Sequence, residues 1–343
     1  MIQQFGKAPS GMRLERIEQC DNYKNGSFQN AVPTSVNAEN ASTFSILKEM
    51  MNRPKSVNPS QKIPSVVTNL KRIDGHKPSF VWFGHSSYLL KVKDYTVLVD
   101  PVFSGNASPV SFFGKAYDGA NEYTVEDMPQ IDILLLTHDH YDHLDYPTIE
   151  KLKSKVKRIV CSLGVGSHLE YWGYSAAIIT ELNWWESVKI IDDFKITATP
   201  ARHFSGRLFT RGNTLWSSFV FEIFGYVFYL GGDSGYSPQF KEIGDKFGSF
   251  DLAVMECGQY NENWPKIHNF PEEMVTAAKD LKAKKVIPVH WAKFTLATHP
   301  WNEPIKRFTK AANDQNLSYV SPKIGELYEL NQKFEQEVWW DFE

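Results

Sequence analysis

Asp132-Ile133-Leu134-Leu135-Leu136-Thr137-His138-Asp139-His140-Tyr141-Asp142-His143-Leu144-Asp145 is the stretch whose reading decides the fold. The apolar run Ile131 to Leu136 has the length of a buried strand. It breaks into a loop that carries His138, His140, Asp142 and His143. A turn at the end of such a strand can aim His138 and His140 at one point, and Asp142 and His143 at a second point nearby. Imidazole nitrogen and carboxylate oxygen suit zinc, and also manganese or iron. Without a cysteine among them the set points to a catalytic rather than a structural metal site.

Three other strand ends repeat the pattern. His203 follows the run Phe194 to Thr199, Asp233 follows Tyr226 to Leu230, and His290 follows Val286 to Val289. Polar residues commonly end strands, but that alone does not explain why each end carries a metal-ligand residue type. Ligands projecting from strand ends held by one rigid sheet can converge on one spot.

The chain has 343 residues, 42% hydrophobic and 22% charged, which is the composition of an ordinary globular protein. A net charge of −3 gives no electrostatic pull on nucleic acid, so no nucleic-acid partner is expected. Cys20, Cys161 and Cys257 have no paired spacing, and the last two follow apolar runs, as reduced core thiols do. No stretch of eighteen apolar residues spans a membrane, and residues 1–20 lack the apolar core of a signal peptide. A cytoplasmic protein is the simplest expectation, with peripheral membrane contact left open; a removed leader would leave the same sequence. Oligomeric state is not legible.

Residues 1–78 are rich in Asn, Ser, Pro and Lys. They read as an extended arm wrapping a domain at 79–343, with one short helix from Ser42 to Met51 capped by Ser42. Phe28, Phe44, Leu47 and Val66 are its expected docking anchors. From Ser79 the pattern turns to consecutive strands, Phe80–Phe83, Ser87–Val92 and Tyr95–Val99. The long irregular segment Ser104 to Pro129 is expected to form part of a pocket wall. A helix follows Asp145 as N-cap, and a run at Ala177 to Thr180 reads as a strand.

Together these segments resemble the metallo-β-lactamase superfamily. The likeness is nearest to its N-acyl-phosphatidylethanolamine-hydrolysing phospholipase D-like branch, with ascorbate-6-phosphate lactonase-like proteins close by. The resemblance spans roughly Phe80 to Pro304. It rests on Trp82-Phe83-Gly84-His85-Ser86-Ser87, Asp100-Pro101-Val102-Phe103-Ser104, Thr137 to Asp145, and Glu181-Leu182-Asn183-Trp184-Trp185-Glu186. Thr199-Pro200-Ala201-Arg202-His203, Gly232-Asp233-Ser234-Gly235-Tyr236 and His290-Trp291-Ala292-Lys293-Phe294 complete it. It implies an α/β fold, the αββα sandwich of two mixed sheets, and two divalent metal ions, zinc first and manganese or iron as substitutes. The first ion would bind His138, His140 and His203; the second would bind Asp142, His143 and His290; Asp233 would bridge them. Asp142 and Asp233 then serve catalysis as well as metal binding.

His268 matches a residue of that branch near the substrate and is a candidate acid for the leaving alkoxide, or equally a histidine that only opens the next helix. Asp145 is a candidate to orient a ligand histidine, or only a cap. His85 reads as holding a turn, and His76, His168 and His299 as ordinary. Tyr236 and Trp291 read as packing the site floor. The resemblance implies a hydrolase acting on a phosphodiester, small or lipid; Trp184, Trp185, Trp216, Trp264 and Trp301 would suit an acyl chain. The alternatives are a lactonase or sugar-phosphate ester hydrolase, and, from another class, a metal-binding protein without turnover.

Overall fold

The computed structural model describes residues 2–110, 113–208 and 210–342. Its core strands in chain order are β1 (Ser79–Trp82), β2 (Tyr88–Val92), β3 (Tyr95–Val99), β4 (Ile131–Leu136), β5 (Val156–Ser162), β6 (Ile179–Leu182), β7 (Ser187–Ile191), β8 (Phe194–Pro200), β9 (Ser217–Ile223), β10 (Tyr226–Leu230), β11 (Leu252–Glu256), β12 (Val286–Val289) and β13 (Leu327–Glu329). The helices are α1 (Met12–Glu18), α2 (Thr43–Met51), α3 (Tyr146–Leu152), α4 (Gly166–Tyr171), α5 (Gln239–Phe247), α6 (Pro271–Asp280) and α7 (Glu303–Asp314).

Two mixed sheets form. The first has the order β13-β1-β2-β3-β4-β5-β6, and the second β12-β11-β10-β9-β8-β7. In the first, β3 to β6 run parallel; in the second, β10 to β12 do. Side-chain alternation assigns the faces. Val97, Val99, Ile133 and Leu135 of the first sheet share a core with Phe219, Phe221 and Phe228 of the second. Leu98, Leu134 and Leu136 point the other way, onto Ile149 and Leu152 of α3 and Leu169 of α4. Phe240 and Ile243 of α5, Met274 and Val275 of α6, and Ile305 and Phe308 of α7 cover the second sheet. The layers are helix, sheet, sheet, helix, which is the expected sandwich. No helix among the described residues is long and apolar enough to cross a membrane.

Residues 1–78 carry more structure than an extended arm, with α1 and a hairpin at Tyr23–Lys24 and Ser27–Phe28 preceding α2. Ser42 caps α2 as expected, accepting from the Ser45 N–H. The expected anchors divide: Phe28 is buried, whereas Phe44, Leu47 and Val66 are exposed. Ile17, Val57, Ile63, Leu70 and Ile73 do the docking in their place. The run read as a strand at Ala177 is a 3₁₀ turn at Ala176–Ile178, and β6 begins only at Ile179. β13, which closes the first sheet against β1, carries no alternating pattern long enough to read in sequence.

Candidate metal centre

The sandwich gathers polar residues at one edge. Asp100 follows β3, Thr137 and His138 follow β4, His203 lies just past β8 and Asp233 just past β10; Glu256 ends β11 and His290 follows β12. The backbone is bent hard here: His85, Asp100 and His290 have φ of 53°, 40° and 69°. Such left-handed conformations are costly for residues with a Cβ and persist where surrounding contacts impose them. Gly232 allows β10 to approach the histidine loop, because a Cβ there would lie 2.9 Å from the Thr137 Cβ.

Two nests of donor atoms result. His138 Nε2 and His203 Nε2 lie 2.9 and 3.1 Å from His140 Nδ1. Asp233 Oδ2 is 3.8 Å from His138 Nε2 and 3.7 Å from His203 Nε2. The other oxygen, Asp233 Oδ1, turns to the second nest, 3.2 Å from His143 Nε2 and 3.2 Å from His290 Nδ1. Asp142 Oδ2 is 3.6 Å from His143 Nε2.

Hydrogen bonds on the far side of three of the rings fix which nitrogen keeps its lone pair. His203 Nδ1 faces the Ile267 carbonyl at 2.8 Å, and a carbonyl can only accept, so Nδ1 carries the proton. His143 Nδ1 donates to Asp100 Oδ2 at 2.8 Å. The Thr137 hydroxyl donates to the same oxygen at 2.6 Å, so His138 Nδ1 donates to Thr137 at 3.0 Å. The Nε2 lone pairs of His138, His143 and His203 therefore all point inward. His143 Nε2 and Asp233 Oδ1 are buried and have no hydrogen-bond partner. Converging lone pairs and an unpartnered buried carboxylate oxygen are unfavourable alone and suit divalent cations between them. Burial pulls the imidazoles of His138 and His203 well below their ordinary pKa, keeping them neutral as ligands must be.

Several supporting residues were not read from the sequence. Asp100 serves both nests, since it receives the Thr137 N–H at 2.9 Å as well as Thr137 and His143 side chains. Burial pushes its carboxyl up, with His143 opposing. The signal available was its position at a strand end, the criterion that selects His203 and Asp233. Ser86 reaches His290 Nδ1 at 2.8 Å. Asn30 from the arm clamps the backbone of His203, donating to its carbonyl at 2.7 Å and accepting its N–H at 3.0 Å. Glu256 accepts from the Ser234 and Asn269 N–H groups and pairs with His268 Nδ1 at 2.7 Å. Burial pulls His268 down, but the Glu256 carboxylate outweighs it and leaves the imidazole above its ordinary pKa. Burial pushes Glu256 itself up to about 7.

Other expectations change. His85 holds its turn, with Trp82 Nε1 and the His290 N–H donating to its carbonyl, but its Nε2 also reaches Asp142 Oδ2 at 2.8 Å, so it belongs with the second nest. Asp145 does not orient a ligand histidine, nor does its side chain cap α3 through an N–H; it binds Ser104 N and Thr148. Asp139, inside the histidine loop, is no ligand either. It accepts from Gly206 N, Thr214 and His168, and His168 thereby steadies the loop. His299 accepts the Gln259 N–H, and His76 is exposed. Trp291 is core, stacked on Trp339, and Tyr236 bonds Asp280; neither lines the cavity.

Above the nests opens a cavity of about 400 Å³ whose walls include His268, Val36, Ile46, Trp264, Ile267 and Leu296. Of the five tryptophans expected near the site only Trp264 lines it; Trp301 is buried core, and Trp184 and Trp216 pack under the arm. Ser104 to Pro129 contributes no wall among the described residues.

Residues 95–291 match the family model described as β-lactamase superfamily domain. An uncharacterized protein of Mycobacterium tuberculosis (strain ATCC 25618 / H37Rv) is 37% identical over 94% of this chain and 88% of its own length. The N-acyl-phosphatidylethanolamine-hydrolyzing phospholipase D 1 of Caenorhabditis elegans is 31% identical over 78% of this chain and 81% of its own. The solved structure of Igni18, a metallo hydrolase from Ignicoccus hospitalis, covers 75% of this chain and 100% of its own, with a TM-score of 0.57 at 19% identity, a likeness of fold. The chain belongs to the β-lactamase superfamily, and within it to a family of metal-dependent hydrolases that includes phospholipase D-like enzymes.

Proposed function

We propose that this chain is a dinuclear metal-dependent hydrolase that cleaves a phosphodiester, of the kind a phospholipid presents. The observation that carries the reading is Asp233, whose two oxygens face separate nests of imidazoles. His138, His140 and His203 would hold one divalent cation, zinc by donor type with manganese or iron as substitutes. Asp142, His143 and His290 would hold the second, with Asp233 shared. Such a pair of cations supplies a water acidified to hydroxide at neutral pH and neutralises charge on the attacked phosphoryl group.

The chain's own residues do the rest. Asp100, Thr137 and the Ile267 carbonyl keep the ligand rings aimed and in one tautomer. His268, on the cavity wall and held by Glu256, donates a proton from its imidazolium to the departing alkoxide. Val36, Ile46, Trp264, Ile267 and Leu296 provide an apolar wall that suits an acyl or glyceryl portion and limits water.

The test pairs elemental analysis of the purified protein with hydrolysis of bis-p-nitrophenyl phosphate and phospholipids, followed by phosphorus-31 resonance with and without chelator. Two equivalents of metal and chelator-sensitive phosphodiester cleavage are expected, and His290→Ala should lose turnover while staying folded. A metal-loaded protein that opens a lactone but no phosphodiester would replace this reading, as would His290→Ala retaining full metal and full rate.

A further inference from the structure

Phe204 touches both the first nest and a permanent positive charge. Its ring centroid lies 4.5 Å from that of His140 and 4.8 Å from that of His203. Over it sits the guanidinium of Arg211, with Cζ 4.9 Å from the Phe204 centroid. Arg211 belongs to a short hairpin, Gly206–Arg207 with Thr210–Arg211. Both hairpin ends are anchored. Gly206 N donates to Asp139 Oδ1 at 2.7 Å, and buried Arg207 donates to the carbonyls of Asp139 and Leu144. Past Arg211, Gly212 exchanges backbone hydrogen bonds with Ser205 and Phe28. The base of the side chain is therefore fixed while its head is exposed.

Among the described residues Arg211 is the one Lys or Arg that lines the metal cavity, and it is within 4 Å of neither carboxylate there, Asp142 or Asp233. Arg13, Arg16 and Arg307, by contrast, all sit in carboxylate pairs. The same guanidinium borders a second recess of about 160 Å³ between the arm and Trp216. This recess shares Val36, His203, Phe204 and Arg211 with the cavity, so the open space forks at Phe204. Away from the nests the cavity branch is walled by Ile46, Trp264, Ile267 and Leu296 with Asn37 and Gln259, and the recess presents Ser27, Gln29, Asn30 and Thr34 beside Phe28 and Pro33.

A guanidinium stacked on an aromatic face keeps its N–H edges free for a carboxylate or phosphate, which it can hold by two parallel bonds. Arg211 also borders the recess, whose lining includes none of His138, His140, Asp142, Asp233 or His290, so it can meet oxygens other than those of the reacting phosphoryl group. We propose that Arg211 and the polar recess beside it form a subsite for a second anionic group of the substrate. The preferred substrate is then a phosphodiester bearing a further carboxylate or phosphate. This rests on the phosphodiesterase reading.

A matched pair of probes tests it: ethyl p-nitrophenyl phosphate and 2-carboxyethyl p-nitrophenyl phosphate. They share the phosphorus and the leaving group and differ by one carboxylate. The metal-loaded full chain should favour the carboxylate ester in kcat/KM by about tenfold or more, chiefly through KM. Arg211→Gln should bring the ratio of the two close to one, and Arg211→Lys should keep part of the preference. Equal kcat/KM in the wild type, or a preference that survives Arg211→Gln, overturns the subsite. Should neither ester turn over, the phosphodiesterase reading fails instead, and the subsite is judged by calorimetric binding of 3-phosphonopropionate against ethylphosphonate. Tighter binding of the former by wild type but not by Arg211→Gln upholds it; equal binding by wild type refutes it.

Discussion

Replacing Asp100 by Asn keeps the side-chain shape and removes the charge that fixes His143. In the native protein Asp100 is buried and receives three donors, from Thr137 N at 2.9 Å, Thr137 Oγ1 at 2.6 Å and His143 Nδ1 at 2.8 Å. An amide offers one accepting oxygen and an NH₂ that competes with those donors. The Thr137 N–H keeps the oxygen, at the Oδ1 position, and the NH₂ replaces Oδ2 beside Thr137 Oγ1 and His143 Nδ1. The NH₂ then faces His143 Nδ1, which can accept only if the imidazole moves its proton to Nε2. That proton points at Asp233 Oδ1, 3.2 Å away, where the second cation would otherwise lie. A hydrogen bond to a charged group contributes about 1.5–3 kcal/mol, and loss of such an outer contact weakens metal binding about 10- to 100-fold. The second metal equivalent should weaken by that factor in competition with a chromophoric chelator, the first far less. The metal-free protein should scarcely lose thermal stability, because the new Nε2–H satisfies an oxygen that had no partner. Two equivalents bound with native affinity, or a metal-free variant that melts many degrees lower, would refute the reasoning.

Three further outcomes follow from the same contacts. In Glu256→Gln, burial's lowering of the His268 pKa loses its largest opposition, so His268 loses its proton at lower pH; the alkaline limb of kcat/KM should move to lower pH, and an unmoved limb rejects His268 as the acid. Asn30→Ala removes both contacts to the His203 backbone, and at about 1–3 kcal/mol for unsatisfied polar groups the first metal equivalent should weaken about tenfold, read by chelator competition. Glu49→Ala deletes the acceptor for Asn261, Asn263 and Thr298 that ties α2 to the loops after β11 and β12, so proteolysis near residues 43–55 should quicken and, with Ile46 loosened from the cavity wall, KM for long-chain substrates should rise.

The histidine loop was legible because its chemistry is local: an apolar strand runs straight into His138, His140, Asp142 and His143. The strand-end rule carried His203, Asp233 and His290 across long sequence separations, although not through the one sheet expected: the second sheet sets those three ends side by side, and the sandwich brings His138 of the first sheet to them. Asp100 and Glu256 obey the same rule and were passed over, because an acid at a strand end looks unremarkable until its donors, Thr137 and His143 or Ser234 and His268, are in view. Asp145 was placed correctly before a helix, but its partners Ser104 and Thr148 are set by packing. The tryptophans failed for a related reason. Composition counts them, yet only tertiary structure decides that Trp264 faces the cavity while Trp301 lies in the core. In α2 the apolar Phe44 and Leu47 looked like anchors, whereas the polar Glu49 and the half-buried Ile46 hold the helix in place.

That division bears on the arm, which the sequence separates from the domain at Ser79. Physically it is part of both the core and the site. Ile17, Phe28, Val57, Ile63, Leu70 and Ile73 are all buried, and burying an aliphatic or aromatic side chain of this size contributes about 1.5–3 kcal/mol. Their combined share, on the order of 10 kcal/mol, matches the whole net stability of a typical domain, about 5–15 kcal/mol. The arm also fixes chemistry. The Lys7 N–H binds His168 Nδ1 at 3.0 Å, which leaves Nε2–H to donate to Asp139 in the histidine loop, while Asn30 grips His203 and Val36 and Ile46 wall the cavity. A chain beginning at Ser79 should therefore fail to give a cooperative thermal transition and should bind no stoichiometric metal. If that shorter chain melted like the full protein with two equivalents bound, the buried residues of the arm would be ornament on a self-sufficient sandwich, and the coupling argued from Asn30 and His168 would be wrong.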